Sequence, residues 1–183
     1  MRATATAKAT KELERRVWDA LAEVPDPEIP AVSVVELGIV RTVEAGPDRI
    51  RVELLPTFVG CPALEIIRQA IADRLAGLAP RLEVEPTFAE AWTSDRITPE
   101  GRRKLRESGF APPGPRAADE PGRPLFATIT TRPLEPVPGE SEASCPFCGS
   151  RDTALENPFG PTLCRAIFWC NACRQPFEQF KAV

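Results

Sequence analysis

The sequence predicts an α+β protein: a small αββαβα-type domain, a proline-rich stretch and a short four-cysteine tail. Three observations carry that reading. An apolar stripe of helical spacing gives way to segments of period two, eight prolines crowd residues 111–144, and two C-x2-C pairs close the sequence. With 183 residues, 43 % apolar and 27 % charged, a domain of ordinary size and a smaller one can each bury a core. The 23 Lys and Arg against 26 Asp and Glu leave a net charge of −3, which argues against a nucleic-acid partner held by phosphate neutralisation. The chain has no His. A Ser-His-Asp triad, a Cys-His dyad and an imidazole-ligated metal are therefore excluded. No apolar run is long enough to span a membrane, and the start, MRATATAKATKELERR, lacks the apolar segment of a secretory signal. A soluble cytoplasmic protein with reduced thiols is expected.

Residues 1–9 are small and polar and are expected to fray. From Thr10, the spacing of Leu13, Val17, Leu21 and Val24 predicts a helix that stops at Pro25. Pro25 to Pro30 is neither helix nor central strand, so it reads as an extended loop. Val32 to Leu37 is short and apolar, and Gly38 permits a sharp turn. Ile39–Ala45 and Arg49–Pro56 read as two strands joined by a hairpin at Gly46-Pro47-Asp48. A helix opening at Cys61-Pro62 places Leu64, Ile67, Ile71, Leu75 and Leu78 on one face. Arg81–Phe88 reads as a third strand, and a last helix runs from Thr98-Pro99 to Ser108-Gly109. This places the α+β domain at 10–110, the proline-rich linker at 111–143 and the four-cysteine domain at 144–183. Within that linker, Leu125 to Thr130 has strand character and could add an edge strand to either neighbour.

The strongest chemical signal is in the tail. Cys145-Pro146-Phe147-Cys148 is followed, after 21 intervening residues, by Cys170-Asn171-Ala172-Cys173. Two such knuckles converge four thiolates on one point, the S₄ tetrahedron that Zn²⁺ favours, so the tail reads as a zinc-ribbon-like domain. A rubredoxin-like iron site has the same geometry and stays open on spacing alone. All four positions are filled by protein, so the site is closed and structural. A tail of about 40 residues rarely stabilises itself by burial, so metal binding decides whether it folds.

Two thiols lie outside the knuckles. If Leu163–Cys170 is a strand, Cys164 sits about 20 Å from Cys170 and cannot join the same metal. It reads as a small buried residue or as a reactive thiol. Cys61 precedes Pro62 at a helix start, where free N–H groups favour a thiolate. It is a candidate nucleophile or metal ligand, or simply a cap. Asp26 and Glu28 offer two carboxylates in a loop held by prolines, or a solvated turn.

Asp26-Pro27-Glu28-Ile29-Pro30, Val34 to Val40 and Pro56-Thr57-Phe58-Val59-Gly60-Cys61-Pro62 resemble, in that order, the small α/β domain of iron–sulfur cluster assembly factors. Ala91-Trp92-Thr93-Ser94-Asp95, Gly101 to Leu105, Phe159 to Ala166, Cys173 to Phe177 and Phe180-Lys181 resemble one branch of that family, the accessory subunits of phenylacetyl-CoA epoxidase systems. The resemblance spans nearly the whole chain, apart from residues 1–9 and the proline-rich stretch. It implies a role rather than a reaction: maturing or maintaining the metal centres of a di-iron oxygenase and an iron–sulfur reductase. The resemblance makes Cys61 a reactive thiol, Asp26 and Glu28 an acidic motif, Thr57 a companion in the Cys61 loop, and the four knuckle cysteines a zinc site. Cys164 also matches a family position. Phe58-Val59 is more apolar than that loop usually is.

An assembly factor would hold iron or an iron–sulfur cluster transiently at Cys61, beside Asp26 and Glu28. One thiolate per chain is a poor permanent cluster site, so transient holding or ligation shared across a homodimer is expected. A docking module for the epoxidase subunits is the alternative, as is a general cluster carrier. A nucleic-acid-binding ribbon is disfavoured, because residues 141–183 carry four Lys and Arg and four Asp and Glu. An enzyme built on Cys61 would lack a His base.

Overall fold

A computed structural model describes residues 2–58, 60–114 and 143–181, with side chains from residue 8 onward. The chain divides into two compact units, residues 1–108 and 109–183. In the first, helix α1 (Arg2–Leu21) precedes strands β1 (Val40–Ala45) and β2 (Arg49–Leu54), helix α2 (Ala63–Leu75), strand β3 (Arg81–Pro86), a 3-10 turn at Ser94–Arg96 and helix α3 (Pro99–Glu107). This is the expected αββαβα order. The helix takes in residues expected to fray, consistent with the helix-favouring Ala at 3, 5, 7 and 9.

The sheet order is β1-β2-β3, with β1 and β2 antiparallel and β2 and β3 parallel across the α2 crossover. Gly46 N–H closes the hairpin on Arg49 O at 2.8 Å. Along β2 the period of two sorts the side chains. Ile50, Val52 and Leu54 are fully buried, while Arg51 and Glu53 alternate with them at half-buried positions. Arg41 and Glu53 pair at 2.7 Å, and Arg51 and Glu85 at 3.4 Å. The buried face of α2 is Ala63, Ile67, Ile71 and Leu75, spaced every four residues. That spacing leaves Leu64 half-buried on the flank and Leu78 half-buried beyond the helix end, whereas the sequence pattern had put both in the stripe. Val17 and Leu21 of α1 are fully buried in the same unit.

The turn after the Pro25–Pro30 loop is closed by a reciprocal pair. Ser33 Oγ accepts from Glu36 N–H at 3.2 Å, and Glu36 Oε2 accepts from Ser33 N–H at 2.9 Å. Glu36 Oε1 also pairs with Lys104 of α3 at 2.7 Å. Desolvation pushes the Glu36 pKa up, but Lys104 and the Ser33 amide outweigh it and hold the carboxyl below the usual range. A depressed folded-state pKa gives stability that is whole above the unfolded value, about 4.3. That stability is lost as pH falls through the folded value. Glu36→Gln is expected to cost about 1–3 kcal/mol at pH 7. The gap from the native protein should close in denaturant titrations carried below pH 4, and a gap independent of pH would refute the assignment.

The second unit is a sheet of order β4-β7-β6-β5, from β4 (Phe110–Ala111), β5 (Thr153–Asn157), β6 (Arg165–Cys170) and β7 (Gln175–Phe180). Antiparallel β5-β6-β7 form a meander, and β4 pairs with β7 in parallel. Phe110–Ala111 therefore belongs to this sheet rather than to the α+β domain or a linker, a shift from the boundary drawn at residue 110. Residues 115–142, including the strand-like Leu125–Thr130, lie outside the described residues. The core consists of Ala111, Ala143, Cys145, Ala166, Phe168, Cys170 and Phe177, with the Phe168 and Phe177 rings stacked at 5.7 Å. Among the described residues no helix is long and apolar enough to cross a membrane.

Candidate functional site

Each knuckle is a turn closed on its first cysteine. Gly149 N–H donates to Cys145 O and Arg174 N–H donates to Cys170 O, both at 2.9 Å. The residue after the second cysteine takes a left-handed backbone in both turns, with φ +75° at Gly149 and +58° at Arg174. The register of β6 with β7 sets Cys170 opposite Gln175, so the second knuckle is the hairpin between those strands. The first knuckle docks beside it, with Cys145 buried and Asn171 N–H bonded to Asp152 O at 3.0 Å.

The four sulfurs of Cys145, Cys148, Cys170 and Cys173 lie within 4.8 Å of one another. Cys145 and Cys173 Sγ are 3.7 Å apart, and Cys148 and Cys170 Sγ 3.6 Å. A tetrahedron with Zn–S bonds of about 2.3 Å has edges of about 3.8 Å. The cluster is thus already shaped for the ion. The sulfurs hold their protons unequally. Hydrogen bonds from the Cys173 amide and sulfur bring the Cys170 thiol down to about 7, whereas desolvation and the neighbouring sulfurs push Cys173 up to about 12. Zinc at the centre displaces the remaining thiol protons.

Cys164 lies just before β6, at the opposite end from Cys170, and is outside this cluster. It is half-buried, with its Sγ 3.1 Å from Thr162 Oγ1 and its carbonyl accepting Lys181 N–H at 2.8 Å.

In the first unit the candidate residues fall on two loops. Asp26 is buried, and its Oδ1 accepts from Glu28 N–H at 2.9 Å and Ile29 N–H at 2.8 Å. Asp26 N–H donates to Val32 O at 2.8 Å. The Asp26 carboxylate therefore shapes its own loop, an Asx-type turn that presents Glu28 half-buried. Thr57, Phe58 and Cys61 are half-buried on the loop after β2. The cap of α2 is Pro62, at φ −69° and ψ −24°, with no side-chain cap hydrogen bond. Cys61 sits one position before it, which corrects the expectation that its thiol caps the helix. Proline offers no polar side chain, and the Cys61 carbonyl instead accepts Leu64 N–H at 3.3 Å.

The pairing of Val40 with Leu54 means that the chain enters β1 and leaves β2 at one end of the hairpin. Leu55 N–H bonds Ile39 O there at 2.8 Å, so the Asp26 and Cys61 loops depart from the same end of the sheet. Sequence reasoning missed what lies across that end. Trp92 Nε1–H donates to Leu37 O and Arg96 Nε–H to Gly38 O, each at 3.0 Å. A lone Trp in a stretch of small and polar residues was the signal available, and it marks a buried ring without naming the carbonyl it meets.

The fold and the thiol cluster define a class: a small α/β unit followed by a four-cysteine unit of zinc-ribbon type. The PaaD zinc beta ribbon domain matches residues 131–181, and the iron-sulfur cluster assembly protein family matches residues 14–86. The chain belongs to the PaaD family: it is 35 % identical over 169 residues to a putative 1,2-phenylacetyl-CoA epoxidase component of Escherichia coli (strain K12), covering 91 % of this chain and 92 % of that one. Its fold is also similar to the domain of unknown function DUF59 from Bacillus anthracis, with a TM-score of 0.51 and 24 % identity over 54 % of this chain and 96 % of that one. The four-thiolate site is accordingly a structural zinc site.

Proposed function

We propose that the protein is a non-catalytic accessory factor of a phenylacetyl-CoA epoxidase system, acting in the cytoplasm to mature or maintain its metal centres. Its partners in this reading are the oxygenase or reductase subunits. The observation that supports it best is the placement of Cys61. It is the sole cysteine of the first unit, half-buried on a loop that shares one end of the sheet with the Asp26–Ile29 turn. Iron, or an iron–sulfur cluster, is the cargo. Loading replaces the Cys61 thiol proton by the metal, with Glu28 and Thr57 as oxygen groups at the same sheet end. Delivery returns the proton when the client's larger ligand set takes the metal. A site with one thiolate holds weakly, which suits transfer. Asp26 keeps the acidic loop in shape.

Metal and sulfide analysis of the anaerobically purified chain tests this. The native protein should carry iron in addition to zinc, and Cys61→Ser should lose the iron, keep the zinc and melt at the native temperature. Epoxidase activity in cells dependent on the protein should fall to background with Cys61→Ser. Zinc alone in the native protein, or full support from Cys61→Ser, would overturn the reading. The second outcome would favour a docking role instead, which the exposure of Ile66 at 59 % and Phe88 at 70 % also supports.

A further inference from the structure

We infer that Trp92 and Arg96 are positioning residues for the Cys61 site, setting the Cys61 loop and the Asp26 loop relative to each other; the inference rests on the reading of Cys61 given above. The turn at 36–38 presents three successive carbonyls, and each is taken by a donor from one short segment. Thr98 N–H bonds Glu36 O at 2.9 Å, Trp92 Nε1–H bonds Leu37 O at 3.0 Å, and Arg96 Nε–H bonds Gly38 O at 3.0 Å. The fit leaves no slack. A Cβ on Gly38 would lie 2.5 Å from Arg96 Cβ and Arg96 O, and one on Gly101 would lie 2.7 Å from Glu36 O. Trp92 is 2 % exposed.

What this clamp grips is the joint between the two loops. On one side, Ser33 bridges to Pro25, and Val32 O holds Asp26 N–H. On the other, Ile39 bonds Val34 O through its amide and takes Leu55 N–H at its carbonyl, six residues before Cys61. Rotation of the 36–38 peptides would therefore tilt one loop against the other. The clamp lies at residues 92–101, beyond the 14–86 that match the general cluster assembly family. Side chains that fix the backbone behind a ligand govern how well that ligand meets its metal.

The test uses the full chain with its zinc site filled and Co²⁺ as the probe, reading the thiolate-to-cobalt absorption band. The band assigned to Cys61 is the part that Cys61→Ser abolishes. Trp92→Phe keeps a ring in the buried site but removes the donor to Leu37 O. Arg96→Met removes the donor to Gly38 O from a partly exposed position, and it decides the matter if Trp92→Phe fails to fold. Each variant should bind Co²⁺ at Cys61 about 10- to 100-fold more weakly while unfolding cooperatively. Native affinity in variants whose melting temperature has dropped would overturn the inference and leave the clamp merely structural. A native protein with no Cys61-dependent band would instead sink the reading of Cys61, and the inference with it.

Discussion

Removing zinc from the full-length protein with a chelator is expected to unfold residues 143–181 and leave the sheet of the first unit intact. The ribbon has little else to hold it. Its core includes two of the metal ligands, Cys145 and Cys170, and otherwise three alanines and two phenylalanines. Burial on that scale rarely exceeds the cost of ordering some forty residues. Zinc binding supplies about 10–16 kcal/mol in small zinc domains, enough to decide the outcome alone. Cys170→Ser, at a fully buried ligand, should act like the chelator. Far-ultraviolet circular dichroism and amide exchange on the two units separate the outcomes. Loss of both units together, or a metal-free ribbon that stays folded, would refute the assignment.

Gly38→Ala is expected to be the most damaging single substitution in the first unit, at about 3–5 kcal/mol. Two costs coincide there. The backbone sits at φ +67°, where a side chain is strained, and the new methyl would meet Arg96 O at 2.5 Å. Gly60 separates the two, because it has φ +78° but open space around its missing Cβ. Gly60→Ala should therefore cost only the conformational part, about 1–2 kcal/mol. Urea titrations of both variants measure the difference, and equal losses would show that the crowding against Arg96 is relieved without penalty.

Much of this was legible in the residues. The alternation of Ile50, Val52 and Leu54 with charged neighbours announced β2, and the two knuckle spacings announced the zinc site, because both are local patterns. The Thr98-Pro99 start of α3 was equally local, and Thr98 Oγ1 accepts from Gly101 N–H at 3.0 Å. What escaped was non-local or depended on one residue of register. Cys61 and Pro62 differ by a single position, yet that position decides which residue caps α2. The pairing of Phe110 with Glu178 links segments far apart in sequence, and nothing in a two-residue strand signals it. The grip of Trp92 and Arg96 on successive carbonyls is invisible in a pattern of apolar and polar residues, because its acceptors are backbone atoms. The Ser33–Glu36 pair carried a readable capping signature, but no helical stripe followed to draw attention to it.

The parallel pairing of β4 with β7 also dictates an order of assembly. The first unit is one uninterrupted stretch of chain, so it has everything it needs once residue 108 has been synthesised. The second cannot finish its sheet until Glu178 and Gln179 exist, since these are the partners of Phe110 and Ala111. During translation, β4 therefore waits unpaired while the meander that completes it is still being made. The last cysteine ligand, Cys173, emerges only just before that partner strand. Zinc capture and closure of the sheet thus fall together, after the first unit has become able to fold.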